Sequence, residues 1–490
     1  MEPLKKRDRS PRGNRPTHGL PRRDFLASTL GLSVFSAAGP LASVLRGQAA
    51  PKSEDSEWRR FGYDLHNTRF NAREKQLGRQ NVGRLKPKWE FGAGSPVQHT
   101  PAVVRDTLYF GTHAGDFFAL DARTGAKKWH NKIGDAHPEH REFLKSSPEY
   151  ADGRLYFGSG RSNDPAKNAI VYCLDATNGR VIWSTRLDED QANDTLVTCA
   201  VTLFNGKVYG GTSGGSGNGQ AFCLSADDGR LLWRFQTVPE IELAGGGIWS
   251  SPTIDEEQGL VYNGSGDAKA FTSGHVLFSE SIIANDVGTG ELRWYYQARQ
   301  PDVYYNLDFS CHPMLFDATH PTRPGAVRKC VGAGNKAGFY TVDRYTGQLY
   351  WKVMLTNHSG GSGLQLNSTA VAYNRVFAIS NASGVRRAPS SVTAGLNAYT
   401  GDIEWWVHNE ATNQAPVAVA NGVFYQGLMD GRLQALDTDT GEQLWEYKLP
   451  SGHRGGIAIA NGALYASNGG PFRGDTAEKY AMLCFTVDGQ

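Results

Sequence analysis

Apolar and polar residues alternate in short runs along most of the chain, the period-2 pattern of half-buried strands. Eight such runs fold back on a turn: "TPAVVRDTLYFGT", "SPEYADGRLYFGS", "CAVTLFNGKVYGGT", "SPTIDEEQGLVYNGS", "HPMLFD", "STAVAYNRVFAIS", "APVAVANGVFYQGL" and "GIAIANGALYASN". A second repeat follows most of them. An acid or amide leads into a Gly-centred turn and then a Trp, as in "LDATNGRVIW" and "LDTDTGEQLW". The closing tryptophans, Trp129, Trp183, Trp233, Trp294, Trp351, Trp405 and Trp445, are 54, 50, 61, 57, 54 and 40 residues apart. That spacing fits one four-stranded sheet with its turns, the blade of a β-propeller.

Eight hairpins but seven Trp turns leave one blade incomplete. The last copy ends at "LCFTVDGQ", and "RLKPKWEFGAG" with Trp89 stands before the first hairpin without a turn of its own. Pairing these two segments completes the count and removes the exposed sheet edges. The expected fold is all-β, an eight-bladed β-propeller closed by N- and C-terminal strands and preceded by an export leader. In each blade the Trp packs between neighbours, while the Asp and Gly shape the turn.

The leader reading rests on residues 1–50. Arg22 and Arg23 precede Phe25, Leu26 and a weakly apolar run, the arrangement of a twin-arginine signal peptide with cleavage near Ala49 and Ala50. The run is too short and too weak for a stable membrane anchor. This assigns 51–490 to the propeller and implies a periplasmic or secreted protein. The leader holds nine Lys/Arg against three Asp/Glu, so a chain of net charge +2 has a mildly acidic body, which disfavours nucleic acid.

Three of the six cysteines, Cys173, Cys223 and Cys484, fill a slot before the turn that other copies fill with Ala, Gly or Thr, and so read as packing residues. Cys199, Cys311 and Cys330 remain, and a 311–330 bridge is open to them. The sequence has no C-x-x-C-H haem attachment. His137 and His140, in "HPEHRE", and the acidic "DEDQAND" at 188–194 read as surface loops.

The first strand of each blade is innermost, so the starts of the hairpins ring the central channel. They bring Gln98–His99, Lys145–Ser146, Thr198–Cys199, Trp249–Ser250, Cys311–His312, Asn367, Asn413–Gln414 and His453–Arg454 to its mouth. A polar collar with one large aromatic suits a flat, anionic ligand; a solvated rim would look the same by spacing alone.

Residues 245–267, "GGGIWSSPTIDEEQGLVYNGSGD", resemble the quinoprotein alcohol dehydrogenases, and so do "WRRFGYDLHNTRFN" at 58–71 and "GNKAGFYTVDRYTG". The resemblance implies an eight-bladed propeller that binds pyrroloquinoline quinone (PQQ) with Ca²⁺ or a lanthanide. It implies Trp249 as the stacking floor, with Thr198, Gln98, Lys145 and Lys336 as cofactor contacts. Its metal positions fall on Ser216, Asp267, Asn306 and Asp308. Asn306 stands where the family has its catalytic Asp, and an amide is no base. Asp308 and His312 are therefore the candidates for that role, beside Lys336 at the quinone oxygens.

Two functions follow. One is an exported PQQ-dependent dehydrogenase of an alcohol or other hydroxylated substrate, passing electrons to a separate acceptor such as a cytochrome. The other is a cofactor-free propeller of the same form that serves as an extracytoplasmic binding or assembly scaffold. An aromatic floor beside a lysine and two acids argues for the first.

Overall fold

The computed structural model of the chain describes residues 56–133, 144–160, 169–187, 195–213, 219–238, 245–267, 276–298, 308–336, 338–355, 369–384, 387–468 and 480–490. The leader, His137, His140, the 188–194 segment, Ser216, Asn306 and Asn367 lie outside them. No helix among the described residues is long and apolar enough to cross a membrane.

Backbone pairing sorts the strands into eight sheets, the blades, antiparallel except where Phe70–Asn71 adds to one of them in parallel beside Ala418–Ala420. Blade 1 is typical: Ala102–Val104, Thr107–Gly111, Asp116–Asp121 and Lys127–Lys132 pair in sequence order. Its inner two strands are wholly buried, and its outer strand exposes alternate residues. Blade 8 is closed as the repeat count requires. Leu85–Gly92 lies antiparallel to Ala481–Val487, with Trp89 opposite Cys484.

The repeated turn and Trp lock blade to blade. The Trp129 indole N–H donates to the Ala176 carbonyl in the next blade at 3.0 Å. Trp183 does the same to Ala226, Trp405 to Thr438, and Trp445 to Leu85 across the closure. The turn glycine of the next blade lies flat on the indole. A Cβ on Gly179 would come within 2.5 Å of Trp129, and its φ of +74° already favours glycine. Asp175 at the same turn accepts the Thr177 N–H at 2.7 Å, so the recurring acid, glycine and Trp form one device.

All six cysteines are buried and free. The 311–330 bridge is not formed: the Cys311 thiol contacts Thr369 Oγ1 at 2.9 Å, while Cys330 faces the Arg328 carbonyl.

Residues 58–71, which carry no strand pattern, form a strap across the inner strands. Trp58 bridges to Val103 in blade 1, and the Arg59 carbonyl accepts from Tyr150 in blade 2. The carbonyls of Leu65, His66, Thr68 and Arg69 accept from Ile254, Leu315, Val371 and Val419, one in each of blades 4 to 7. Asn71 Nδ2 reaches Ile459 in blade 8 at 2.7 Å. These bonds leave in chain order, so the strap turns with the ring.

Candidate functional site

Each blade for which the position is described contributes one half-buried residue to the collar, set between two buried ones: Gln98, Lys145, Thr198, Trp249, Ser310, Gln414 and Arg454. Side chains alternate along an extended segment, so the next residue turns into the packing between blades. His99 thus accepts the Gly111 N–H at 2.9 Å, and Cys199 and Ser250 take the same bond from Gly211 and Gly264. In each expected pair outside blade 5, then, only one member faces the channel. In blade 5 the register is one residue earlier than expected: Ser310 takes the collar position and Cys311 the packing position.

His312 therefore lies one layer below the collar and does not join the other candidates. Its ring packs edge-on against Phe61 of the strap at 5.2 Å between centroids, and it is fully buried. Burial, with a smaller contribution from Arg69, pushes its imidazole down to about 3.

Trp249, Asp267, Asp308 and Lys336 do come together, from blades 4 and 5. The Lys336 ammonium lies over the Trp249 ring, 5.5 Å from its centroid, and donates to Asp308 Oδ2. Asp308 Oδ1 accepts the Asp267 N–H at 2.7 Å, and the Asp308 carbonyl accepts the Lys336 N–H at 3.1 Å. Asp308 is 5 % exposed in its side chain and Lys336 14 %, so this ion pair sits in a largely dry environment. Two glycines make room. A Cβ on Gly266 would lie 2.4 Å from Asp308 Oδ1 and 2.9 Å from the Trp249 ring, and one on Gly247 would lie 3.3 Å from that ring. Only backbone separates the indole from the carboxylate.

Thr198 is tied to this cluster through Ser213. Their hydroxyls are 3.1 Å apart, and Ser213 adjoins Gly247. Ser213 escaped the sequence reading because it sits in a Gly/Ser-rich stretch with no pattern of its own. Lys145 and Arg454 approach each other from blades 2 and 8, on the far side of the ring. Burial lowers the Lys145 ammonium below its ordinary range, with repulsion from Arg454 adding to it. Burial brings Arg454 down to about 10, and its Nε donates to Gln414 Oε1 at 2.9 Å. Gln98 stands between these two blades. The collar is thus cationic on one side, and on the other an aromatic face carries an ammonium and two carboxylates.

A flat anion with hydrogen-bonding edges fits this arrangement. An oxygen-binding cation fits beside Asp267 and Asp308, though no three acidic, His or Cys side chains converge among the described residues. Ser216 and Asn306, the other two expected metal positions, lie outside the described residues.

Residues 58–145 and 210–364 match the family model described as PQQ, glucose/ethanol/alcohol dehydrogenase, β-propeller domain. The chain is 27 % identical to a polyvinylalcohol dehydrogenase of Pseudomonas sp., over 89 % of this chain and 78 % of that one. Among solved structures, quinohemoprotein alcohol dehydrogenase ADHIIG from Pseudomonas putida HK5 superposes with a TM-score of 0.76 at 21 % identity, covering 89 % of this chain and 81 % of its own. A europium-containing methanol dehydrogenase superposes at 0.72 and 19 %, covering 88 % and 98 %.

Proposed function

The chain belongs to the PQQ-dependent alcohol dehydrogenase-like family of eight-bladed β-propellers, and on that premise we propose that it is itself a working quinoprotein. Its reaction would be the oxidation of an alcohol or other hydroxylated substrate, with electrons passed to a separate acceptor such as a cytochrome. The observation that carries this reading is the Lys336 ammonium held over the Trp249 face by Asp308.

Trp249 would stack on the cofactor, with Gly247 and Gly266 keeping that face clear. Thr198, Gln98 and Lys145 would meet its polar edges. Bound PQQ would supply a hydride acceptor for the alcohol carbon; the hydroxyl proton would go to a base, leaving a carbonyl product. Lys336 would stabilise negative charge at the quinone oxygens without reorganising, because Asp308 already fixes its ammonium. Asp308 would take the hydroxyl proton, since Asn306 has no titratable group and His312 lies in a lower layer. A Ca²⁺ or lanthanide ion held by Asp267 and Asp308 would add Lewis-acid polarisation. We assign residues 1–50 as a twin-arginine leader and the mature protein to the periplasm or the medium, from Arg22 and Arg23 and the weakly apolar run behind them.

The test is a titration of the purified protein with PQQ, with and without Ca²⁺ or a lanthanide, followed by an alcohol panel with an artificial electron acceptor. Saturable quenching of Trp fluorescence and substrate-dependent dye reduction are expected. No binding under any metal condition would overturn the enzyme and leave the scaffold reading.

A further inference from the structure

Among the described residues Arg69 is the largest charged side chain that is fully buried, with 0 % exposure, and it lies in the strap rather than in any blade. Its Nε donates to the Val417 carbonyl in blade 7 and its Nη1 to the Phe61 carbonyl of the strap. Nη2 reaches Thr100 Oγ1 in blade 1 and the Ile457 carbonyl in blade 8, both at 3.4 Å. The Phe61 ring that it covers packs in turn edge-on against His312 in blade 5, opposite blade 1, at 5.2 Å between centroids. One guanidinium that reaches opposite blades sits at the propeller axis. The residues it touches in blades 1, 7 and 8 follow the collar positions Gln98, Gln414 and Arg454 by two or three residues, which places it one layer beneath the collar.

Its hydrogen-bond partners among the described residues are three backbone carbonyls and one hydroxyl, with the rings of Phe61 and Trp58 at 4.6 and 5.5 Å. None is a carboxylate. Burial pulls the guanidinium down to about 9, which leaves it protonated at neutral pH. A buried cation without a counter-charge costs several kcal/mol, and an apolar side chain would plug the channel at less cost. The expense is recovered if the missing anion arrives with the ligand.

Resting on the quinoprotein reading above, we infer that Arg69 is a positioning residue of the site: a fixed axial charge below the collar that draws an anionic quinone into the channel and favours its reduced form. PQQ carries three carboxylates, and the alcohol's hydride would add two electrons and one proton to it while the hydroxyl proton goes to Asp308, so the reduced form would carry one more negative charge for Arg69 to stabilise. In a low-dielectric channel a single charge acts over several ångströms without touching the ligand. Because Arg69 is buried, salt screens it far less than it screens the rim cations Lys145 and Arg454.

The experiment compares wild type, Arg69→Gln and Arg69→Lys, each loaded with PQQ, by fluorescence titration and by the two-electron midpoint potential of the bound quinone. Arg69→Gln keeps a donor for the carbonyls and is expected to bind PQQ about tenfold more weakly. A tenfold smaller preference for the reduced form lowers the midpoint by about 30 mV. Arg69→Lys is expected within about threefold of wild type. A role in packing alone would move the melting temperature and leave the potential unchanged. Equal affinity and potential in the Gln variant would overturn the inference while the quinoprotein reading stood. Should neither variant fold, a wild-type midpoint at or below that of free PQQ would overturn it equally, and a midpoint above it is the expected result. Wild type that binds no PQQ would remove both readings.

Discussion

The Lys336 ammonium stands 5.5 Å above the centroid of the Trp249 ring. A cation over an indole face gains about 0.5–2 kcal/mol, and here the carboxylate of Asp308 fixes the ammonium in that place as well. The aromatic floor and the charge that would act on the ligand are therefore built as one unit. Replacing Trp249 by Ala removes the stacking surface and one side of that contact. We expect PQQ affinity to fall by about 1–3 kcal/mol, read by titration of quinone absorbance. Unchanged affinity would move the site elsewhere.

Asp308→Asn keeps the shape of the carboxylate and abolishes its basicity. Dye-linked turnover at saturating PQQ is expected to fall by about 10²-fold or more, the scale of losing a general base. PQQ affinity should change far less. A variant that keeps most of its turnover would take the base role from Asp308.

Blades 4 and 5 share a buried ion pair. Arg344 donates through Nε and Nη2 to the two oxygens of Asp255, which also accepts the Tyr262 hydroxyl at 3.2 Å. Asp255→Ala leaves the guanidinium with Glu257 at 3.3 Å and should cost about 3–5 kcal/mol in a denaturant melt. Burial raises the Asp255 carboxyl, but Arg344 and its hydrogen bonds outweigh that and hold it below the usual carboxylate range. Its contribution is thus present above pH ~4 and lost as pH falls through its folded value.

Three imidazoles in the inner layers, His99, His312 and His453, are buried, and burial pushes them down to about 3, 3 and 4. Unfolded, each takes a proton near pH 6.5; folded, each stays neutral. Stability from these groups is therefore complete above pH ~6.5 and lost as pH falls towards 4. Glu149, raised by burial to about 7, runs the other way, since its folded form holds a proton that the unfolded form has released. His99→Gln keeps an acceptor for the Gly111 N–H. It should remove about 1.4 kcal/mol per pH unit from the slope of stability between pH 5 and 6, measured by urea melts at each pH. An unaltered slope would mean that His99 is protonated in the folded protein.

The blades were legible because each must solve the same packing problem. The Trp turn recurs since every blade needs one indole N–H for its neighbour's carbonyl and one glycine thin enough to lie on that ring, as Gly179 does on Trp129. In the seven blades where it is described, the collar was legible to within one residue. In blade 5 the stretch "DFSCHP" offers polar groups at three successive positions, and only the pleat, fixed by Phe309 against Gly264, selects Ser310. The strap was not legible as structure. It docks mainly through backbone carbonyls, which every sequence carries. Arg69 was visible only within a stretch that resembled a family, and its burial depends on residues nearly 350–390 positions away.

Closure of the ring sets an order of events in synthesis. Leu85–Gly92 is made before any complete blade, yet its pairing partner is Ala481–Val487, the last strand of the chain. The strap at 58–71 likewise needs inner strands from nearly every blade. Both segments must wait, exposed, while some four hundred residues emerge behind them, which makes folding slow and gives chaperones a long opportunity to engage. A nascent chain of this protein can stack blades as they appear, but its ring closes only once Ala481–Val487 has emerged to meet Leu85–Gly92.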